Sequence, residues 1–566
     1  MKGLLEKHFQ TIAIVAIILL LNVLGNIFHF SVDLTEDKRF TVAQSTKDIV
    51  VQPDDNIYIK VLLDGDFPAG FKRLRSATLD LLVQLKDNNP NIVYEFEDPT
   101  SGTKREVMQR QEEFQKDNLV PVMLSFSDGN QVVQKPIFPF AIIHYKNKKY
   151  FINLLEEQLP GDDENEVLNK SMALLEYKFA EAFQRMLAKR PKRILMTEGN
   201  GEWEDAQLFR LEGEIRKNHM VGRIDLDSIM KIDTTIDLLI VPGPRQLVEL
   251  KNLFKIDQYI MMGGRVIWLI DKMEISLDSI NKYRMYIPSD IDTGIDNILF
   301  KYGARIMPDL IMDLECSSIP QVVGMQGDKP QTRLFPWFYH PAIASQSAHP
   351  MVKNIDRVNM SFPSSVDTVQ TPVPVRKTIL LTSSPYSRVQ LSPVRLSFEI
   401  LKTSPDPSKF NNGNKAVAVL LEGKFESAFK NRLTPEFEET LKKINLPFLE
   451  TGKKEARQLV VSDSDFTKNL VNFQTGETEQ IGFNKWERKY YKGNRDFIVN
   501  AVEYMLDEYN IMESRSKEIK LRMLDTVKTR EEGNFWKVFN LLLPVVFVGL
   551  FGFLYMYWRK RKYASR

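Results

Sequence analysis

The chain has 566 residues, with 76 Lys and Arg against 74 Asp and Glu, a formal charge of +2 and one cysteine. Its length exceeds one typical domain, and its charged and hydrophobic fractions, 27% and 43%, are those of folded globular material. The terminal segments, with Lys2, Lys7, Lys537 and the tail cations less Glu6, carry +7 and leave −5 for residues 8–536, so nucleic-acid binding is disfavoured; lone Cys316 excludes an intramolecular disulfide and a Cys-rich zinc site.

Two stretches, residues 11–30 and 536–558, have no charged side chain between residues 8 and 30 or between 538 and 558, and reach the length a membrane-spanning helix needs, about 20 apolar residues rising about 1.5 Å each. Arg559, Lys560, Arg561, Lys562 and Arg566 follow the second, and Lys2 and Lys7 precede the first. Cations in short flanks stay on the cytoplasmic side, so both ends are predicted cytoplasmic and the middle lies across the lipid bilayer. Trp536, Tyr555, Tyr557 and Trp558 fit the aromatic belts of such a helix. A cleaved signal peptide is the alternative for the first stretch, but residues 25–34 read GNIFHFSVDL, without an A-x-A-like site. Asn22, Gly25 and Asn26 share one helix face, and polar groups in a bilayer are costly unless paired, so they are candidate contacts to a partner helix. Wetting of Asn26 at the interface is the other explanation. Asn540 and Pro544 share a face of the second stretch in the same way.

Between the spans, residues 56–63 (NIYIKVLL) read as a buried strand, 71–86 as a helix and 92–96 as a second strand, a β-α-β unit. Turn residues Asp128-Gly129 and Asn147 then mark two hairpins. Strands plus one helix make a small mixed α/β domain, and a long amphipathic helix over 166–189 joins it to the next. From Arg193 the chain alternates strictly: RILMTE, a helix over 205–217, IDLLIVPGP, a helix over 246–262, and RVIWLID. This alternation predicts a parallel, Rossmann-like sheet covered on both faces, with ARIMPDLIMD as a further strand of it. Residues 316–415 are rich in Pro and Ser and read as irregular insertions, with strands at KTILLTSS and VRLSFEI. KAVAVLLEGKF and RQLVVSDSDF add two strands, followed by a helix over 494–509 and a charged amphipathic helix over 515–530.

The loop TEGNGEWED, residues 197–205, is the candidate ligand loop, since α/β sheets bind ligands at the carboxyl ends of strands. Gly199 and Gly201 would admit a close ligand, and Glu198, Glu202, Glu204 and Asp205 could hold a hard cation. The competing explanation is a structural turn, with acidic residues opening a helix for capping and dipole reasons. The Gly-Lys pairs at 423–424 and 452–453 lack the Ser or Thr of a phosphate-binding loop, and no nucleophile elbow or H-E-x-x-H pair occurs. His8, His29, His144, His219, His340 and His349 have no metal-ligand spacing. The basic run Lys72, Arg73 and Arg75 could meet an anion or simply be a solvated helix face. The sequence therefore predicts no catalytic residue, no cofactor and no metal.

LTEDKRFTVAQST, LLDGDFPAGFKRLRSAT, AHPMVKNIDRVNMSFPSSVDTV, LLEGKFESAFKNR, LVVSDSDFTKN, GNRDFIVNAVEYMLDE and ESRSKEIKLRMLD span nearly the whole chain. Together they resemble the GldG family of gliding-motility-associated ABC transporter auxiliary (substrate-binding) proteins of Bacteroidetes. The resemblance implies a non-catalytic subunit at the inner membrane, working with an ABC-2-type multispanning permease and a separate cytoplasmic ATPase. It implies a periplasmic α/β core related to amidotransferase-like folds, and cargo or another envelope protein as a periplasmic partner. Those enzymes place a nucleophilic cysteine at a strand-helix elbow, a setting Cys316 does not have. The organisation expected is a cytoplasmic N-terminus (1–10), a first span (11–30) and a mixed α/β domain (31–160). A linking helix (161–191), a Rossmann-like auxiliary domain (192–510) and a juxtamembrane helix (511–535) follow, then a second span (536–558) and a basic tail (559–566). A membrane-anchored periplasmic hydrolase and an envelope scaffold without transport are the alternatives.

Overall fold

The computed structural model describes residues 41–128, 131–158, 163–283, 285–443, 446–472, 474–516 and 526–563. The chain divides into two units, Met1–Lys517 and Glu518–Arg566. The expected first span, with Asn22, Gly25 and Asn26, lies outside the described residues.

The first part of the larger unit contains α1 (Gln44–Val50), β1 (Ile57–Val61), α2 (Ala69–Asn88), β2 (Ile92–Phe96), α3 (Lys104–Lys116), β3 (Val122–Asp128), β4 (Gln131–Ile137), β5 (Phe140–Tyr145), β6 (Lys148–Asn153) and α4 (Glu164–Leu187). The sheet order is β2-β1-β5-β6, with β1 and β2 parallel as a β-α-β unit requires and β5 and β6 added antiparallel. Both expected hairpins form, although β3 and β4 make a ribbon of their own. The expectation of a single helix is corrected: α3 is present too, started by Thr103, whose backbone N–H donates to Glu106 Oε2 at 2.8 Å. With Phe114 as its one buried residue, α3 has almost no apolar stripe to read. Helix α4 is a core element of this layer, because Phe179, Ala180 and Phe183 are fully buried beside Phe71, Leu74 and Leu82 of α2.

The second part contains β7 (Arg193–Glu198), α5 (Asp205–Arg216), β8 (Met220–Asp225), β9 (Leu238–Pro242), α6 (Leu250–Met261), β10 (Arg265–Leu269), α7 (Leu277–Tyr283), α8 (Asp296–Tyr302), β11 (Ala304–Ile306), β12 (Asp309–Asp313), β13 (Cys316–Gln326) and β14 (Lys329–Ile343). It continues with β15 (Val358–Asn359), β16 (Val366–Thr368), β17 (Val375–Thr382), β18 (Ser387–Leu391), β19 (Ala416–Gly423), α9 (Pro435–Lys443), β20 (Ala456–Val461), β21 (Phe483–Asn484), β22 (Lys489–Tyr490) and α10 (Lys492–Leu506). The main sheet runs β17-β19-β20-β10-β9-β7-β8. Its strands from β20 to β8 are mutually parallel, and β19 enters antiparallel against β20 and β17. Alternate residues feed two cores: Leu238 and Ile240 face α5 and α10, while Leu239 and Val241 face α6 and α8. Burial on both faces is why these strands read as unbroken apolar runs.

Four expectations change here. An all-parallel sheet becomes a mixed one through β17 and β19. ARIMPDLIMD does not join it, because β11 pairs with β16 and β12 with β18. VRLSFEI is not a strand: Val394 and Leu396 are buried, but the backbone turns into a 3-10 helix at Phe398–Lys402. The irregular region contains a long hairpin, β13–β14, hidden from pattern reading by Pro320, Gly324 and two register shifts. The edge strand β8, with only intermediate and exposed positions, likewise carries no apolar run.

Residues Ile511–Ser516, expected to open a juxtamembrane helix, form a 3-10 helix whose Ile511 and Met512 are buried in the first core. The chain thus returns to its beginning before leaving the unit. The second unit contains α11 (Thr526–Tyr563), 38 residues or about 57 Å long, with Pro544 inside it. Among the described residues, its segment Phe535–Arg561 is the one helix long and apolar enough to cross a membrane. Its apolar side chains, Trp536, Leu541, Phe551 and Trp558 among them, are exposed, a surface suited to membrane association. Asn540 is exposed on the same helix.

Candidate functional site

The chain reverses direction across the main sheet between β7 and β9, the place where open α/β sheets receive ligands. The loops after both strands meet there. Gly199 has φ +100° and Gly201 φ +79°, turning the chain after Glu198 so that the Asn200 carbonyl accepts the N–H groups of Arg245, at 3.0 Å, and Gln246, at 2.9 Å. A Cβ on Gly201 would stand 3.3 Å from side-chain atoms of both residues. The glycine therefore admits a neighbouring loop of the same chain.

The acidic residues of the loop do not converge. Glu202 folds back to accept the Asn200 N–H at 2.6 Å, the Glu204 N–H donates to Gln207 Oε1 at 3.1 Å as α5 begins, and Asp205 pairs with Arg223 at 3.0 Å while 89% exposed. Among the described residues no group of three or more His, Cys, Asp or Glu could hold a metal ion. The basic run is dispersed too: Lys72 pairs with Asp66, Arg75 with Asp64, and Arg73 donates to Asn165.

Trp203 covers the crevice. Its indole N–H donates to Ser464 Oγ at 2.8 Å, and its ring is approached by the Arg245 guanidinium, 4.4 Å from a ring centroid, and the Lys468 ammonium, 4.2 Å away. The Gly243 position, φ +70°, is shaped by this contact, since a Cβ there would come within 2.5 Å of Ser464 Oγ and 2.8 Å of the indole nitrogen. The side chain that follows β7 thus reaches across the strand ends to the loop after β20.

Beneath it sits an acidic group that pattern reading missed. Asp271 accepts the Ser464 N–H at 2.7 Å and pairs with Arg245 at 3.0 Å. Asp463 accepts the N–H groups of Ser361, at 2.8 Å, and Asp465, at 2.7 Å. Burial, and then the charge of Asp465, push both carboxyls above the usual range. Asp465 in turn pairs with Lys468. His340 is buried against Phe362, and its Nε2 has no hydrogen-bond partner among the described residues; burial holds it down to about 4. The sequence signal was the placement of acids just after consecutive apolar strands, in LID and VVSDSD. Cys316, at the start of β13, has a thiol pushed up to about 12 by burial, the opposite of an activated nucleophile.

The arrangement is a stitched, self-filled strand-end crevice, with buried, hydrogen-bonded carboxyls supporting loops. Comparison with known proteins points to a transport system. The family model described as an ABC-type uncharacterized transport system matches residues 191–501, and a domain of unknown function (DUF7088) matches residues 36–144. No curated protein matches the chain. Among solved structures it is similar to one titled mmIFT52 N-terminal domain, at 11% identity and TM-score 0.30, covering 56% of this chain and 97% of that one. A ThuA-like protein from Parabacteroides merdae is 12% identical with TM-score 0.25, covering 56% and 90%. Likenesses this slight carry no argument. The match over residues 191–501 takes in the main sheet from β7 to α10, more than half of the chain, and the protein belongs to the ABC-type uncharacterized transport system family.

Proposed function

We propose that the protein is a non-catalytic auxiliary subunit of an ABC-2-type transporter complex involved in gliding motility. It sits in the inner membrane with both termini cytoplasmic, docks on a multispanning permease through its spans and presents its α/β domains to the periplasm. A separate cytoplasmic ATPase supplies the energy, since the sequence has no phosphate-binding loop of its own. The observation that carries this reading is the union, in one chain, of a transport-system family domain and an exposed apolar helix. The self-filled crevice supports its non-catalytic character, because Trp203 stands where a substrate would enter. Purification in mild detergent with identification of co-purifying chains tests it: a permease and an ATPase are expected, and the absence of both overturns it. The hydrolase alternative is tested by replacing Glu198, Glu202 and Asp205 together with their amides. Gliding and complex assembly are expected to continue unchanged; loss of gliding with assembly intact favours the enzyme.

A further inference from the structure

We infer that the cleft between the first sheet and the α5–α10 face of the family domain accepts an extended, uncharged peptide segment as an added strand on β6. Among the described residues strand β6 is an edge: it pairs with β5 and with no other strand. Tyr145 and Lys148 flank a two-residue turn and form a hydrogen-bonded pair, so Tyr150 and Ile152 also bond inward to β5, and Lys149, Phe151 and Asn153 turn their backbone groups outward. The outward carbonyl of Asn153 already accepts Lys178 Nζ at 2.8 Å, which leaves the N–H and C=O of Lys149 and Phe151 to receive a strand.

The outward edge opens into a cleft of about 940 Å³. Five consecutive residues of β6, from Lys149 to Asn153, line it. A cleft over one face of a sheet would be lined by alternate residues, so this continuity places the cleft on the strand's edge. The opposite wall carries the apolar side chains Ile215 from α5 and Val499 and Val502 from α10, interspersed with Glu214, Arg495 and Glu503.

Charge selects the occupant. Each cation of the cleft has a carboxylate partner: Lys149 pairs with Asp117, Lys178 with Glu156 and Arg185 with Glu181, while Lys217 and Arg495 share Glu214 and Arg495 also reaches Glu157. Glu503 holds His219 at 2.9 Å. A charged guest would have to break one of these pairs, whereas a neutral strand meets the outward backbone groups of Lys149 and Phe151 and the apolar side chains of Ile215, Val499 and Val502.

This rests on the reading of the α/β domains as a binding module, and permease co-purification tests that reading separately. Random heptapeptides displayed on phage are selected on the full-length, detergent-solubilised chain, and the enriched peptides are synthesised. Neutral peptides with alternating apolar positions are expected, losing tenfold or more in affinity when alternate amides are N-methylated. Lys149→Ala keeps the outward N–H and should bind as the parent does. Lys149→Pro removes only that N–H, leaves the β5–β6 ladder intact, and should lose at least tenfold. Hydrogen exchange must show protection at residues 149–151 on binding, which also reports whether each variant is folded. Enrichment of charged peptides, equal binding by Lys149→Pro, protection elsewhere, or no enrichment at all overturns the proposal.

Discussion

Trp203 shows how much one side chain can decide about a site. Its indole bonds to Ser464, 261 positions away, and its ring is in cation–π contact with both Arg245 and Lys468. Trp203→Ala is expected to cost about 2–4 kcal/mol, less than a wholly buried tryptophan because Trp203 is half-buried. Urea unfolding of the solubilised chain measures it, and a loss below about 0.5 kcal/mol would show that the ring does not support the loops. His340 makes a pH prediction. Its folded value of about 4 lies below the ordinary 6.5, so the folded state resists protonation. The neutral ring's contribution is complete above pH 6.5 and is lost as pH falls toward 4, about 3 kcal/mol over that window. His340→Gln should flatten this acid limb; an unchanged slope means the ring is hydrated in solution. Gly199 and Gly201 were legible as a turn after a strand, but nothing local announces that their turn receives Arg245 and Gln246.

Elements with strong apolar patterns were legible and those defined by their partners were not. Strands β1, β7, β9, β10, β19 and β20 are buried runs, and α2, α4, α5, α6 and α10 have stripes of helical spacing. Strand β8 and the β13–β14 hairpin owe their conformation to pairing with a neighbour, and pairing leaves little trace in composition. The 3-10 helix Ile511–Ser516 is the clearest example. Its charged surroundings suggest a solvent-facing helix, yet Ile511 and Met512 pack in the first core beside α1 and α4. Ile511→Ala should therefore destabilise a layer more than 300 residues earlier in sequence, by about 2–4 kcal/mol. Hydrogen exchange would show it as faster exchange in α1 and α4, and a change confined to residues 511–516 would refute the coupling.

At the scale of the molecule, the larger unit is closed on itself. Lys170 of α4 pairs with Asp496 of α10 at 2.9 Å, and Arg495 bridges Glu157 and Glu214, so the first sheet and the family domain are joined by ion pairs. Anchoring is written differently, in uninterrupted apolar length. Deleting residues 526–566 is expected to leave the chain membrane-bound through residues 11–30, and deleting both segments to release it. Carbonate extraction of membranes reads both results, and release by the first deletion alone would show that residues 11–30 do not anchor the chain. The sequence by itself determined the features that depend on composition over a local window: the apolar termini, the alternation of strands and helices, and the missing nucleotide-binding loop. Tertiary structure decided what depends on residues distant in sequence meeting in space. It filled the strand-end crevice with Trp203, drew Asp271 and Asp463 out of water beneath it, and left the edge of β6 open to a cleft. Local pattern records which surface a residue prefers, whereas only the folded chain records what is already there to cover it.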